Sequence, residues 1–246
     1  MPHKAADVKA WAVTATYNER DNLPELAQGI VALERPVKLL IVDDNSPDGT
    51  GKAAQELAYE HPGTLAVLHR PGKLGYGSAH RLGIGYALDR GAEIVITMDA
   101  DLSHDPAVIP QLLDALEDAD VAVGSRYVPG GGTVNWGLDR QVLSRGAGML
   151  VRLASGLHQA DPTSGYRAYR APILEAANFR EATQEGYAFL VEMLFRCHRA
   201  GATIAEVPIT FADRRAGVSK LSKRIILESA WRLLPLFWRR LTDWRP

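Results

Sequence analysis

Apolar residues fall along this chain in short runs, each closed by a polar or glycine-rich segment. Val8–Thr16 (VKAWAVTAT), Val37–Val42 (VKLLIV), Leu65–His69 (LAVLH), Glu93–Met98 (EIVITM) and Asp120–Ser125 (DVAVGS) read as strands. Helical patterns lie between them: near Leu23–Leu33, in GKAAQELAYE, in SAHRLGIGYALDRG with Gly91 as C-cap, and in AVIPQLLDAL. Strand alternating with helix predicts parallel pairing through right-handed crossovers. The second half is less regular. It offers helices near Arg140–Leu157 and Tyr187–Ala200, a strand-like GYRAYR and a strand TIAEVPITF. The glycine-rich Val128–Gly137 (VPGGGTVNWG) reads as a mobile loop. No linker separates the halves. The expected fold is α/β: one Rossmann-like domain over residues 1–221, with a mostly parallel central sheet flanked by helices, and a tail over residues 222–246.

Composition narrows the class. The chain has 246 residues, 46% hydrophobic and 23% charged, which is globular and not disordered. A net charge of −1 gives no reason to expect a nucleic-acid partner. One cysteine, Cys197, excludes an internal disulfide and fits a reducing compartment. The N-terminus has no apolar signal core, and no run reaches the roughly 18 apolar residues of a membrane span. IILESAWRLLPLFW is broken by Glu228 and Arg232.

Acidic residues gather where the strands end. YNERDN follows the first strand, DDNSPDGTG the second and DADLSHD the fourth, while the fifth ends in GSRY. In an open parallel sheet these carboxyl ends form the ligand crevice. Glu19, Asp43, Asp44, Asp99, Asp101 and Arg126 therefore come within reach of one ligand. Hard carboxylate oxygens favour Mg²⁺ or Mn²⁺, which relieves the repulsion between Asp99 and Asp101 while carrying a diphosphate. Plainer readings compete. DDNSPDGTG also suits a simple turn, and Asp105 before Pro106 suits a helix N-cap. His80 and His104 read as structural. GKLGYGSAH resembles a phosphate cradle without P-loop spacing, with Lys73 towards a diphosphate.

In order along the chain, TATYNERDNLPEL, IVDDNSPDGTG, GKLGYGSAHRLGIGYAL, MDADLSHDP, GSRYVPGGG, LSRGAG, DPTSGYRAYR, EGYAFLVEMLFRCHRAG and EVPITFADRRAGVSKLS resemble the polyprenol-phosphate (dolichol-phosphate) mannosyltransferases. These are inverting enzymes of the second glycosyltransferase family with a GT-A fold. The resemblance spans about Val8 to Leu221 and implies transfer of mannose from GDP-mannose to a lipid phosphate. It implies a nucleotide pocket at Ala15, Thr16, Tyr17, Glu19, Val42, Asp44, Asp99 and Ala100. Asp101 becomes the chief metal ligand, with Asp99 and the residue two beyond Asp101 assisting. That residue is Ser103, where some relatives carry glutamine, and Ala15 stands where proline is common. Arg126, Arg140, Arg214 and Lys220 correspond to phosphate-binding cations; ordinary surface charge is the plain alternative.

The chemistry suits that inventory. The acceptor phosphate is already a nucleophile, so no general base is required. The cations offset repulsion between two anions, and displacement at the anomeric carbon inverts it. From Phe211 onward the chain carries nine Lys or Arg, three acids and three tryptophans. Leu227, Trp231, Leu234, Trp238 and Leu241 recur on one helical face, although Pro235 disfavours one straight helix. Basic residues with Trp and Leu describe an amphipathic segment lying on an anionic bilayer, which places the protein peripherally on the cytoplasmic face. Packing of that helix on the domain, or on a separate membrane-anchoring protein, is the alternative. Two other functions stay open: a UDP-sugar transferase delivering glucose or an amino sugar, and a non-catalytic nucleotide-binding subunit.

Overall fold

The computed structural model describes residues 9–212. The first half follows the sequence pattern closely. β1 (Ala10–Thr16), β2 (Val37–Asp43), β3 (Leu65–His69), β4 (Ile94–Thr97) and β5 (Val121–Ser125) alternate with α1 (Leu23–Val31), α2 (Thr50–Glu60), α3 (Tyr76–Leu88) and α4 (Ile109–Ala115). In the second half β6 (Gly132–Val134) leads into α5 (Leu138–Ser155). Then follow β7 (Arg167–Arg170), α6 (Ala171–Ala176), α7 (Gly186–Arg199), β8 (Ile204–Pro208) and β9 (Thr210–Ala212).

Seven strands form the main sheet in the order β3-β2-β1-β4-β7-β5-β8. β1 pairs in parallel with both β2 and β4, so the chain winds outward from β1 in one direction and then in the other. The loops after β1 and β4 diverge at that switch point and leave a crevice. The strands are apolar on both faces, as expected of a sheet covered on both sides. Trp11 and Val13 of β1 join Leu40, Val42 and Val95 under α3 and α7. Ala10 and Ala12 join Leu39, Ile41 and Ile96 under α1 and α4. α3 packs very close to the sheet because Gly83 has no side chain; a Cβ there would lie 2.4 Å from Val13 Cγ1.

Three features depart from the sequence reading. β7 runs antiparallel between β4 and β5, whereas alternation predicted parallel pairing throughout. Its side chains alternate like those of its neighbours, and hydrophobic pattern does not encode strand direction. Val128–Gly137 is not wholly a loop, since Gly132–Val134 pairs in parallel with Thr210–Ala212. Apolar TIAEVPITF is two strands, because the N–H of Ile209 donates to Ser125 O at the end of β5 before the chain enters β9.

Candidate active site

A cleft of about 150 Å³ opens at the carboxyl ends of β1 and β4. Ala15, Thr16, Tyr17 and Glu19 line it from the end of β1, and Asp44 from beyond β2. Lys73, Gly75 and Tyr76 contribute from the start of α3, and Asp99, Ala100 and Asp101 from the end of β4. Eight expected nucleotide and metal residues thus meet in one place. A larger hollow of about 390 Å³, lined by Lys9, Trp11, Lys38 and Arg90, lies at the opposite end of the strands and contains none of them. Val42 departs from expectation: its side chain is fully buried in the core and does not line the cleft.

Both readings of DDNSPDGTG apply, to different residues. Asp48 makes a turn, accepting from Thr50 N at 2.9 Å and Thr50 Oγ1 at 2.6 Å. Asp44 holds the cleft wall. One of its oxygens pairs with buried Arg70 at 2.6 Å, and the other accepts from Leu74 N at 3.0 Å and Gly75 N at 3.1 Å. This brace fixes the loop bearing Lys73, whose ammonium sits 3.9 Å from the centre of the Tyr17 ring. The cradle reading of GKLGYGSAH fails for a related reason. Gly77 N and Ser78 N, which would face a phosphate, already donate to Glu185 at 2.7 and 2.9 Å.

The DAD segment is held from several sides. The Tyr76 hydroxyl donates to Asp99 Oδ1 at 3.1 Å, and Ser103 N donates to Asp101 Oδ1 at 3.1 Å. Leu102, directly after Asp101, adopts φ +61°, a left-handed conformation strained for a branched side chain. Asp99 N donates to His104 Nδ1 at 2.9 Å, which leaves the ring proton on Nε2. His104 stacks on Tyr166 with ring centres 4.9 Å apart. Burial lowers its pKa more than Asp99 and Asp101 raise it, so the ring is neutral and Asp99 has no imidazolium partner. Asp105 caps the following turn by accepting from Ala107 N at 2.9 Å.

The donor set fits a divalent cation. Asp101 and Asp99 supply carboxylates, and the Ser103 hydroxyl is buried with no hydrogen-bond partner among the described residues. Among the described residues no three His, Cys, Asp or Glu side chains form a complete cage. A site of this kind leaves coordination positions for diphosphate oxygens, the usual arrangement for Mg²⁺.

The expected phosphate cations divide. Arg126 is not an open clamp: Nε and one terminal nitrogen donate to the two oxygens of buried Asp161 at 2.6 and 2.7 Å. Its guanidinium also lies 5.4 Å from the ring centres of both Trp136 and Phe211. Arg140 sits 4.0 Å over the same Trp136 ring. Arg214, Lys220 and the tail lie outside the described residues. Sequence reasoning missed Tyr76, Asp161 and Trp136. Asp161 stood in the quoted DPTSGYRAYR, but its partner is 35 residues away. Cys197 is buried with its thiol pushed up to about 12, so it is not a nucleophile.

Residues 11–177 match the family described as Glycosyl transferase family 2. The chain belongs to that family. It is 43% identical over 222 residues to the polyprenol monophosphomannose synthase of Mycolicibacterium smegmatis, covering 90% of this chain and 84% of that protein. It is 42% identical to the undecaprenyl-phosphate mannosyltransferase of Micrococcus luteus, covering 90% and 91%. It is also 37% identical to the dolichol-phosphate mannosyltransferase of Pyrococcus furiosus, spanning 61% of that longer protein. Glucosyl-3-phosphoglycerate synthase from Mycobacterium tuberculosis, solved with Mg²⁺ and UDP, shares the fold. Its TM-score is 0.67 at 19% identity, over 93% of this chain and 79% of that one. This family 2 transferase therefore has the GT-A architecture expected from its motifs.

Proposed function

We propose that the protein is an inverting transferase that moves mannose from GDP-mannose to a polyprenyl phosphate, giving the β-linked lipid sugar. The observation that carries this reading is the convergence of Asp99 and Asp101 with the β1 and β2 loops in one cleft, two residues before the buried Ser103 hydroxyl, which has no partner among the described residues. The mannosyltransferase relatives, similar over 90% of the chain, support the choice of sugar and acceptor.

Asp101, Asp99 and Ser103 would hold Mg²⁺ or Mn²⁺, which when bound offsets charge on the departing diphosphate. Ala15, Thr16, Tyr17 and Glu19 would seat the nucleotide, with Asp44 bracing the Lys73 loop beside it. An oxygen of the lipid phosphate attacks C1 of mannose on the side opposite the diphosphate. The C1–O bond breaks, its electron pair leaves with GDP, and C1 inverts. No proton moves, so no base is needed. His104, with Nδ1 already engaged, is free to be structural.

Two anions must approach closely. Arg140, Arg214 and Lys220 are assigned to the acceptor phosphate, Arg being suited to bidentate contact. Arg126 is assigned one step back, where its pairing with Asp161 fixes the aromatic platform under Arg140. The enzyme works peripherally on the cytoplasmic face of a membrane, and no helix among the described residues is long and apolar enough to cross one. Residues 222–246 supply a basic, Trp-rich anchor, on the bilayer or on a separate anchoring protein. Incubation with a short polyprenyl phosphate and either GDP-mannose or UDP-glucose is the test. Lipid-linked mannose is expected, and transfer from UDP-glucose alone overturns the choice of donor.

A further inference from the structure

Tyr76 stands between two pairs of backbone amides, each held by a carboxylate from a distant segment. Before it, Leu74 N and Gly75 N donate to Asp44. After it, Gly77 N and Ser78 N donate to Glu185 Oε2 and Oε1 at 2.7 and 2.9 Å. The segment bearing Glu185 is anchored in turn. Thr183 N and Gln184 N donate at 2.9 and 2.8 Å to Oε2 of buried Glu192, whose other oxygen accepts from Arg196 Nε at 3.1 Å. Neither glycine beside Tyr76 leaves room for a side chain. A Cβ at Gly75 would lie 2.5 Å from Glu185 Oε2, and one at Gly77 would lie 2.4 Å from Gln184 O. The Tyr76 ring packs on His80 with centres 4.3 Å apart and meets Phe189 edge-on at 6.3 Å. A Cβ added to Gly165 would lie 3.1 Å from the Tyr76 hydroxyl, so glycine there makes the room this hydroxyl occupies. Backbone, ring and hydroxyl are therefore all fixed.

That hydroxyl donates to Asp99 Oδ1 at 3.1 Å. No described residue donates to Oδ2, since His104 Nδ1, 3.9 Å away, is itself an acceptor. We infer that Tyr76 is a positioning residue that selects the cation: by holding Oδ1 it leaves Asp99 one oxygen, Oδ2, to offer. A carboxylate restricted in this way suits Mg²⁺, which demands a near-ideal octahedron. It disfavours Ca²⁺, which takes about six to eight oxygens and gains from a carboxylate that binds through both. Glu185 acts one step further back, by fixing the first turn of α3 that carries the phenol. The inference rests on the metal reading of Asp99 and Asp101, and deepens it by naming the class of cation the site turns away.

Tyr76→Phe keeps the ring on His80 and Phe189 and removes only the O–H. GDP binding to the full chain is titrated by calorimetry in excess Mg²⁺, Mn²⁺ or Ca²⁺, and in EDTA. The ratio of GDP affinity in Mg²⁺ to that in Ca²⁺ is expected to fall about tenfold, the scale of one hydrogen bond to a charged group. Thermal midpoint and GDP binding in EDTA should not change. Glu185→Ala, which leaves the phenol in place, should shift the ratio the same way by less, and it decides the matter if Tyr76→Phe lowers the thermal midpoint. Glu185→Gln keeps one acceptor oxygen and should lie nearer wild type. An unchanged ratio overturns the role. So does an equal loss of GDP affinity in all three cations, which is what a merely structural tie would produce. A wild type that binds GDP equally in EDTA and in each cation overturns the metal site and this role together. A shifted ratio in a protein that transfers no mannose supports the role and overturns only the proposed sugar transfer.

Discussion

The backbone N–H of Asp99 donates to Nδ1 of His104 across 2.9 Å, so a buried neutral imidazole pins the acidic segment from behind. The ring is also stacked on Tyr166 and meets Phe211 edge-on with centres 5.5 Å apart. Phe211 packs on Trp136, also at 5.5 Å, and Trp136 lies under Arg140. One histidine therefore links the acidic segment, through Phe211, to the Trp136 ring beneath Arg140.

His104→Phe keeps the stacking and removes the acceptor. Leaving a buried N–H unpartnered costs about 1–3 kcal/mol, so affinity for GDP with Mn²⁺ should fall about tenfold or more. His104→Asn presents an amide oxygen in place of Nδ1 and should recover much of that loss. Calorimetry on both variants is the check. If Phe and Asn behave alike, the hydrogen bond does not position the loop.

Asp101→Asn should fold as the parent does and lose most turnover, on the order of 10²-fold, the scale typical of removing one electrostatic stabiliser. EDTA should abolish activity in the unaltered protein. Steady-state rates with and without chelator decide it, and full activity in EDTA ends the metal-dependent mechanism.

Asp44 and Arg140 should separate cleanly. Asp44→Ala leaves buried Arg70 without its carboxylate, with only Gly75 O and Ser78 Oγ to accept from it, and frees the Leu74 and Gly75 amides. It should therefore cost about 3–5 kcal/mol of stability and weaken nucleotide binding without any acceptor present. Arg140→Ala should bind GDP normally and raise KM for the lipid. Denaturant titration and calorimetry measure both, and equal loss of GDP affinity in the two variants overturns this division.

Acid sensitivity should begin near neutrality. Burial, with the charges of Arg70 and Arg81, lowers His80 from 6.5 to about 3. As pH falls below 6.5 the unfolded chain takes the proton first, so stability drops by about 1.4 kcal/mol per pH unit until the folded pKa is reached. Above 6.5 this contribution is fully present. Asp161 adds a later loss. Burial pushes its pKa up, but Arg126 outweighs burial and holds it below the usual carboxylate value. Its contribution is present above the ordinary carboxylate range and disappears as pH falls through the lowered value. Both His80 ring nitrogens lack partners among the described residues, so His80→Leu should fold and show a shallower slope between pH 6 and pH 4. Urea midpoints across that range are the measurement; parallel slopes would show that another group dominates.

Much of the donor side was legible in the chain. Apolar runs of strand length alternating with helical patterns require a parallel sheet, and a parallel sheet brings its carboxyl-end loops together whatever those loops contain. Glu19, Asp44, Asp99 and Asp101 could therefore be placed in one crevice before any coordinate existed. The acceptor side was not legible in this way. Arg126 was expected to face a phosphate, but its pairing with Asp161 depends on how the segment before β7 returns past β5. Glu185 closes the α3 amides from 108 residues away, and no local pattern announces such a contact.

What the sequence by itself determined was which side chains could do the chemistry and which strand ends would carry them, because periodicity and turn residues act over a few neighbours. Only the tertiary structure decided which charges are already spent on one another, the direction of β7, and that α5 turns its leucines outward. Those outcomes depend on packing between distant segments, and a helical stripe does not say whether it faces the core or the surface until the rest of the fold has claimed the other side.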